Sequence, residues 1–393
     1  MRVILHMGDP YPNESPAAKR IRAIYDVLTE HGHHVTVMAP DYREEKVAVA
    51  GTVFCPTIRM NRKTTLMRML NQLNFAVSSV LYAGKAGKAD VVLTTSPPVL
   101  ISMGGWLIAK IKRAKLVYDV RDIWPDVALE MGSFSEGSLF CRIFAFIRDF
   151  MLKHSDLVTA VSPGKVKKLK QYAPNADVVF VTNGLDERFL ENTYNPEIEK
   201  QYGLTSGFNC VYIGNLGWAQ GLTQLMQLAE RAKINGLNAR FLLFGSGVEE
   251  EALRRYAEER ELHNVVFAGR LPNADMFTVL KASQLSFVSL VNDKLKDSVP
   301  TKLFEALGVG CPVLLSAAGD SADILRECKL GIAVPPNHEE DLWNAFMEMY
   351  SDCGKYLQYQ EHARTFILNC YSRQKAAMTL EAYLEKLLTK QTV

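Results

Sequence analysis

The sequence lacks any pair of cysteines at two-residue spacing, any uninterrupted apolar run long enough to cross a bilayer, and the Gly-x-Gly-x-x-Gly dinucleotide fingerprint. Each absence excludes a class of protein. The seven cysteines (Cys55, Cys141, Cys210, Cys311, Cys328, Cys353, Cys370) are odd in number and scattered. They read as reduced thiols of a cytosolic protein and not as a zinc, redox or disulfide framework. The uncharged stretch from Thr94 to Ala109 is interrupted by Pro97, Pro98, Gly104 and Gly105. It falls short of the ~20 residues of a spanning helix and is expected to be a buried amphipathic helix. Met1 to Met7 carries Arg2 and a short apolar run, too brief for a signal peptide, so a cytoplasmic location is expected.

Net charge is also small, at +2, but unevenly spread. Residues 1–190 hold 25 Lys and Arg against 18 Asp and Glu, while the remainder holds 20 against 25. An excess of this size argues against a nucleic-acid binder and suits a first half that meets an anionic membrane surface or a phosphorylated lipid.

What the chain does have is length, 393 residues with 48% hydrophobic content, enough for two domains with cores of their own. Strand-like runs at Arg2–His6, Val35–Ala39, Val91–Thr95, Leu116–Val120, Leu157–Val161 and Val178–Val181 alternate with helical patterns. A second series runs through Cys210–Ile213, Phe241–Phe244, Val265–Ala268, Leu285–Ser289, Val313–Ser316 and Ile332–Val334. Repeated βα order predicts two parallel sheets with helices on both faces, and a ligand outside the carboxyl ends of the strands. The predicted organisation is an N-terminal domain over 1–190 and a second over 191–370. A helix over 371–393 is expected to pack back on the first.

The most informative segment is Asp297-Ser-Val-Pro-Thr-Lys-Leu-Phe-Glu305. Pro300 fixes the approach to a helix, Thr301 is a plausible cap, and the unpaired N–H groups of the first turn suit a diphosphate beside the positive charge of Lys302. Glu305 falls on the same helical face and suits ribose hydroxyls, although a plain Lys302–Glu305 surface ion pair fits the spacing too. Two glycine turns after strands, Gly214-Asn-Leu-Gly-Trp-Ala-Gln-Gly221 and Gly245-Ser246-Gly247, allow close backbone approach to a phosphate but are weak signals alone.

Taken in order, these motifs, with Phe267-Ala-Gly-Arg-Leu271 and Ala306-Leu-Gly-Val-Gly-Cys-Pro-Val313, resemble the retaining glycosyltransferases of family 4. The resemblance implies a GT-B fold: α/β, two Rossmann-like doubly wound domains facing each other across a cleft. It spans essentially the whole chain. Thr95-Ser-Pro-Pro98 and Tyr118-Asp-Val-Arg-Asp-Ile-Trp-Pro-Asp126 resemble a bacterial branch that adds N-acetylfucosamine-type sugars in surface-polysaccharide assembly.

The resemblance implies that Glu305 holds the ribose and that the backbone at Arg270 and Leu271 reads the base. Gly214, Asn215, Leu216, Gly217, Gln220, Gly245, Ser246, Thr301 and Leu303 complete the expected donor site. Asp297 stands where the family has the first Glu of its acidic pair, and is expected to orient the sugar. Asn215 and Gln220 replace the Arg and Lys that many members carry at the phosphate. The cationic load then falls on Lys302, helix N-termini and Arg121. Arg121-Asp122 stands where many relatives have His-Asp; an always-charged guanidinium suits a phosphate or a sugar but not general-base work. With Lys302 and Asp297, these two make up the expected catalytic set.

On the acceptor side are Pro12, Asn13, Glu14 and Ser15, next to a helix start bearing Lys19, Arg20 and Arg22, together with Trp124. Arg59, Arg62, Lys63 and Arg68 interleave with Met60, Leu66, Met67, Met69, Leu70, Leu73 and Phe75, a pattern that fits an interfacial helix as well as a core-facing one. His31, His33 and His34 read as structural, and no metal or other cofactor is expected. The implied partners are a UDP-sugar donor, a lipid-linked saccharide acceptor and an anionic membrane surface, with no nucleic acid. A sugar-nucleotide 2-epimerase and a catalytically silent sugar-nucleotide- or membrane-binding partner of a transferase are the competing readings.

Overall fold

A computed structural model of the chain describes residues 1–13, 15–43, 47–58, 65–132 and 134–389. They form two compact units, residues 1–183 with 373–393, and residues 184–372.

The first unit carries β1 (Arg2–His6), β2 (His34–Asp41), β3 (Thr52–Pro56), β4 (Val91–Ser96), β5 (Lys115–Val120), β6 (Leu157–Ala160) and β7 (Val178–Phe180). All pair in parallel in the order β3-β2-β1-β4-β5-β6-β7. Helices cover both faces, so central strands such as Val91–Ser96 are buried along their whole length and read as continuous apolar runs closed by small hydroxyl residues. Strand β3 has no counterpart in the sequence reading. It is a short edge strand of which only Cys55 is buried, and five residues carry little periodic signal.

The second unit repeats the plan with β8 (Phe208–Ile213), β9 (Ala239–Phe244), β10 (Val265–Gly269), β11 (Leu285–Ser289), β12 (Val313–Ser316) and β13 (Gly331–Val334). Their order is β10-β9-β8-β11-β12-β13, again parallel. In each unit the winding direction reverses beside the first strand, between β1 and β4 and between β8 and β11. Such reversals open a crevice at the strands' carboxyl ends.

The chain passes between the units at Asn183 and Gly184, earlier than the boundary at 190 read from the sequence. The reason is local pairing. Leu185 N–H donates to the Tyr371 carbonyl at 2.7 Å, and Leu185 with Leu190 packs on Gly308, where a Cβ would lie 2.5 Å from Leu185. On the other side of the crossing, Arg20 donates to the Thr182 carbonyl at 2.7 Å and Arg373 to the Asn183 carbonyl at 2.9 Å.

The C-terminal helix Arg373–Thr389 belongs to the first unit, where Ala376, Ala377, Leu380 and Leu384 join the core formed by Ile21, Ile24 and Leu28 of the Pro16–Glu30 helix. Fully burying Leu380 and Leu384 contributes about 2 kcal/mol apiece. A polar clasp adds to it: His31 Nδ1 and His33 Nε2 lie 2.7 and 2.8 Å from the two carboxylate oxygens of Glu381.

Candidate functional site

In the second unit the carboxyl ends of β8, β9 and β10 lead into or end on glycines because the turns that follow pack directly on one another. Gly214 N–H donates to the Phe244 carbonyl at 2.8 Å, and Gly245 N–H to the Gly269 carbonyl at 2.7 Å. A Cβ on Gly245 would stand 1.8 Å from the Gly214 carbonyl oxygen, and one on Gly247 2.1 Å from that of Leu216. The glycines of Gly245-Ser246-Gly247 are therefore required by packing of one turn on the next. Ser246 lies at the surface of this stack, and its Oγ accepts from Arg270 Nε at 2.8 Å, bringing the turns after β9 and β10 together.

Lys302 sits over this platform. Its Nζ donates to Tyr212 Oη at 2.6 Å and lies 4.0 Å from the centre of the Tyr212 ring; Tyr212 Oη in turn donates to the Asn215 carbonyl at 2.6 Å. A Cβ at Gly214 would come within 3.0 Å of that ammonium, so the absence of a side chain there is what lets the head group rest on the turn. Burial pushes the Lys302 pKa down to about 7, against which the negative charge of Glu305 works. The ammonium is thus engaged with Tyr212, a partner that sequence spacing does not reveal, as well as with the negative charge of Glu305. A tyrosine in an apolar strand reads as core, and Tyr212 is fully buried; only the fold shows that its hydroxyl meets Lys302 and the Asn215 carbonyl.

The helix Thr301–Val309 begins differently from expectation. Pro300, not Thr301, occupies the cap position and no side chain caps the helix, so Thr301 is its first helical residue. Among the first-turn amides, that of Leu303 donates to the Pro300 carbonyl at 3.1 Å, and the Leu303 side chain is fully buried in the core. Leu216 is likewise buried, with its N–H donating to the Ser246 carbonyl. Asp297 is buried immediately before this helix, and Glu305 is half-buried one turn into it.

Asn215 and Gln220 both approach Gly217, whose Cβ would meet Asn215 Nδ2 at 2.4 Å and Gln220 Oε1 at 3.1 Å. That Gln220 oxygen is enclosed and has no hydrogen-bond donor among the described residues. Between them Trp218 stands 60% exposed, another residue the sequence reading left aside. Leu271 is half-buried beside the exposed Arg270.

The first unit's expected site residues are more heavily committed to structure. Arg121 donates from Nε to Thr95 Oγ1 at 3.0 Å and from its terminal nitrogen to Asp9 at 3.3 Å and to the Pro97 carbonyl. Burial raises the Asp9 pKa, and the neighbouring guanidinium pulls it back. Asp122 pairs with Lys165 Nζ at 3.8 Å.

Arg20, expected on the acceptor side, is instead buried in an ion pair with Asp119. Its Nε and Nη2 donate to the two carboxylate oxygens at 3.1 and 2.8 Å, and the same oxygens accept from Thr95 at 2.9 Å and Thr159 at 2.6 Å. Burial alone raises the Asp119 pKa, but Arg20 and the two hydroxyls outweigh it and the net shift is downward.

Trp124 packs edge-on against Phe144 at 5.6 Å and Phe134 at 6.4 Å, while Asp126 binds Arg148, Lys168 and Tyr172. Ser15 caps the Pro16–Glu30 helix by accepting from Ala18 N–H at 3.2 Å, and Asn13 accepts from Ser15 N–H at 3.0 Å. Pro12 is exposed on this loop. Glu14 lies outside the described residues, as do Arg59, Met60, Arg62 and Lys63. Of the interfacial-helix pattern, Leu66, Leu70 and Leu73 face solvent, but Met69 and Phe75 pack into the core.

Among the described residues one group brings three potential metal-ligating atoms within 4.8 Å of one another: His33, Glu381 and Glu385. It forms part of the clasp on the C-terminal helix, and folding joins residues that sequence spacing keeps apart.

Comparison with known proteins agrees with the two-unit plan. Residues 17–184 match the family described as glycosyl transferase 4-like domain, and residues 195–366 match glycosyl transferases group 1. WcaI of Escherichia coli strain K12, described as a colanic acid biosynthesis glycosyl transferase, is 25% identical over 359 residues, covering 85% of this chain and 88% of that protein. Among solved structures, sucrose-phosphate synthase of Thermosynechococcus elongatus superposes with a TM-score of 0.83 at 17% identity, covering 99% of this chain and 100% of that one. HepE of Anabaena, solved with UDP, gives 0.74 at 15% identity, covering 98% and 100%. With both halves matched and both sheets wound alike, the chain is a glycosyltransferase of GT-B fold, built from a 4-like domain followed by a group 1 domain.

Proposed function

We propose that the protein transfers a sugar, with retention at the anomeric carbon, from a UDP-sugar to a lipid-linked saccharide in bacterial surface-polysaccharide assembly. The observation that carries this reading is Lys302, poised at the uncapped start of the Thr301–Val309 helix and resting on the Gly214 backbone at the β8/β11 reversal. An ammonium, first-turn amides and glycine backbone N–H groups are what a leaving diphosphate needs as its charge develops, and they supply it without a metal. In this reading Lys302 and the Thr301 helix start hold the diphosphate, Glu305 the ribose, Asp297 the sugar, and the Arg270–Leu271 backbone the base. Crystallisation of HepE with UDP supports the nucleotide, and the likeness to WcaI supports the polysaccharide. An N-acetylated or 6-deoxy hexosamine follows from the sequence resemblance.

The acceptor falls to the first unit, at Pro12, Asn13, Glu14 and Ser15. Arg121 and Asp122 have a supporting part there, since Arg121 is held by Asp9 and Thr95. Contact with the cytoplasmic face of an anionic membrane completes the reading. No helix among the described residues is long and apolar enough to cross a membrane.

The test is calorimetric titration of UDP and GDP, then UDP release from a panel of UDP-sugars with and without lipid-linked acceptor, and NMR of the product's anomeric proton. Acceptor-dependent UDP release with retained configuration is the expected result. Release without acceptor and with isomerised sugar would identify an epimerase. UDP-sugar binding without turnover would identify a silent binding partner.

A further inference from the structure

The Thr65–Tyr82 helix turns Leu66, Leu70, Leu73, Val77 and Leu81 outward, at intervals of three and four residues along one face. Leu66 is 63% exposed, Val77 62% and Leu81 76%. This row is not a misplaced core face. The opposite side buries Phe75, Ser78 and Ser79, and meets the Ile101–Lys112 helix so closely that a Cβ at Gly104 would stand 2.9 Å from the Ala76 carbonyl.

The two neighbouring helices behave alike. Leu107 and Ile111, one turn apart on the Ile101–Lys112 helix, are exposed. Phe146 on the Leu139–His154 helix is 65% exposed and touches Phe150 at 6.2 Å, which meets Trp106 edge-on at 5.0 Å. Scattered exposed apolar residues need no explanation, but a full row on one helix continued by exposed apolar residues on two neighbouring helices marks an interaction surface.

Its charge identifies the partner. Residues 65–115 contain seven Lys and Arg and one acid, Asp90, which is bonded to Arg2. Lys110 and Arg113 are exposed beside Leu107 and Ile111, and Lys85 and Lys88 are exposed just beyond Leu81. On the third helix the exposed Asp149 is paired with Arg148, and Arg142 and Lys153 are exposed. Apolar residues rimmed by an excess of cations complement a bilayer with anionic headgroups.

We infer that this three-helix face docks the protein on an anionic lipid bilayer, with the Leu66–Leu81 row in the headgroup–acyl boundary and the lysines on the headgroups. The inference rests on the membrane part of the function proposed above and assigns it to specific residues. These all lie outside the nucleotide site.

Co-sedimentation of the full chain with phosphatidylcholine vesicles, with and without about 30% phosphatidylglycerol, tests it. Wild type is expected to bind the anionic vesicles at least ~10-fold more tightly, since each cation near such a surface strengthens binding on the order of fivefold. Val77→Glu/Leu81→Glu should lower that binding about tenfold or more. Leu70→Ser/Leu73→Ser provides a second variant free of added charge. Lys110→Gln/Arg113→Gln should weaken binding to anionic vesicles and flatten its salt dependence. All three should keep wild-type melting and UDP affinity, because the replaced side chains are exposed.

Equal binding by wild type and both apolar-row variants overturns the proposal. So does equal binding to neutral and anionic vesicles. A wild-type dimer that these substitutions dissociate overturns it too, by giving the face to a second copy. Vesicle binding is read without donor or acceptor, so its failure leaves the UDP titration intact, and a failed titration leaves the vesicle result intact.

Discussion

Lys302 Nζ and Tyr212 Oη are 2.6 Å apart, and the tyrosine passes the contact on to the Asn215 carbonyl in the glycine turn. The cation expected at the phosphate and the turn expected to receive it are thereby one hydrogen-bonded unit, with a pKa near 7 at its head.

A lysine that titrates near 7 in the free protein makes UDP binding pH-dependent. The diphosphate favours the charged form, so affinity should be full below pH 7. It should fall as pH rises above 7, with proton uptake on binding, until the pKa of the complex is passed. Calorimetry in buffers of different ionisation heat measures that uptake. Lys302→Met should bind more weakly and show neither the uptake nor the slope.

Lys302→Ala and Glu305→Ala should separate binding from catalysis. The ammonium matters most as the leaving group becomes charged, so Lys302→Ala should lower kcat by on the order of a hundredfold, about 3 kcal/mol, as well as donor affinity. Ribose contacts are equal in ground and transition states, so Glu305→Ala should raise KM and weaken UDP binding with little change in kcat. Steady-state kinetics on both variants, with circular dichroism to confirm folding, decides the roles.

Tyr212→Phe removes the hydroxyl that accepts from Lys302 and leaves the ring in place. Losing an acceptor disfavours the charged ammonium, so the midpoint of the UDP-binding pH profile should move below 7. The loss in kcat/KM should be greater at pH 8 than at pH 6. A purely structural tyrosine would lower affinity equally at both pH values.

Gly245→Ala forces a methyl to within 1.8 Å of the Gly214 carbonyl at a backbone φ of +148°. Both glycine turns must then separate. UDP affinity should drop at least ~10-fold, since the phosphate platform loses its geometry. Far-UV circular dichroism should stay near wild type.

The buried Arg20–Asp119 pair should control the first unit's acid stability. The Asp119 pKa is depressed in the fold, so its contribution is present above the unfolded carboxylate range near pH 4 and disappears as pH falls through the folded value. Arg20→Met leaves a buried carboxylate unpaired and should cost about 3–5 kcal/mol, whereas Arg20→Met/Asp119→Leu should recover much of that loss. Urea unfolding followed by a probe in the first unit measures both.

The sequence determined the two βα series, the glycine turns and the Pro-Thr-Lys helix start, because periodicity and local backbone chemistry are short-range properties. Every strand but the brief edge strand β3 was legible as an apolar run. Tertiary structure decided what each polar group does. Arg20 and Asp119 are 99 residues apart, and only the sheet order places both at the carboxyl edge of the first unit's core. Lys302 and Tyr212, 90 residues apart, meet because β8 and β11 are neighbours at the reversal of winding. The His31 and His33 contacts with Glu381, more than 340 residues away, exist because the C-terminal helix buries Leu380 and Leu384 against the first unit. An apolar pattern fixes which residues are buried; which charges then find each other depends on strand order, which leaves no trace in local sequence.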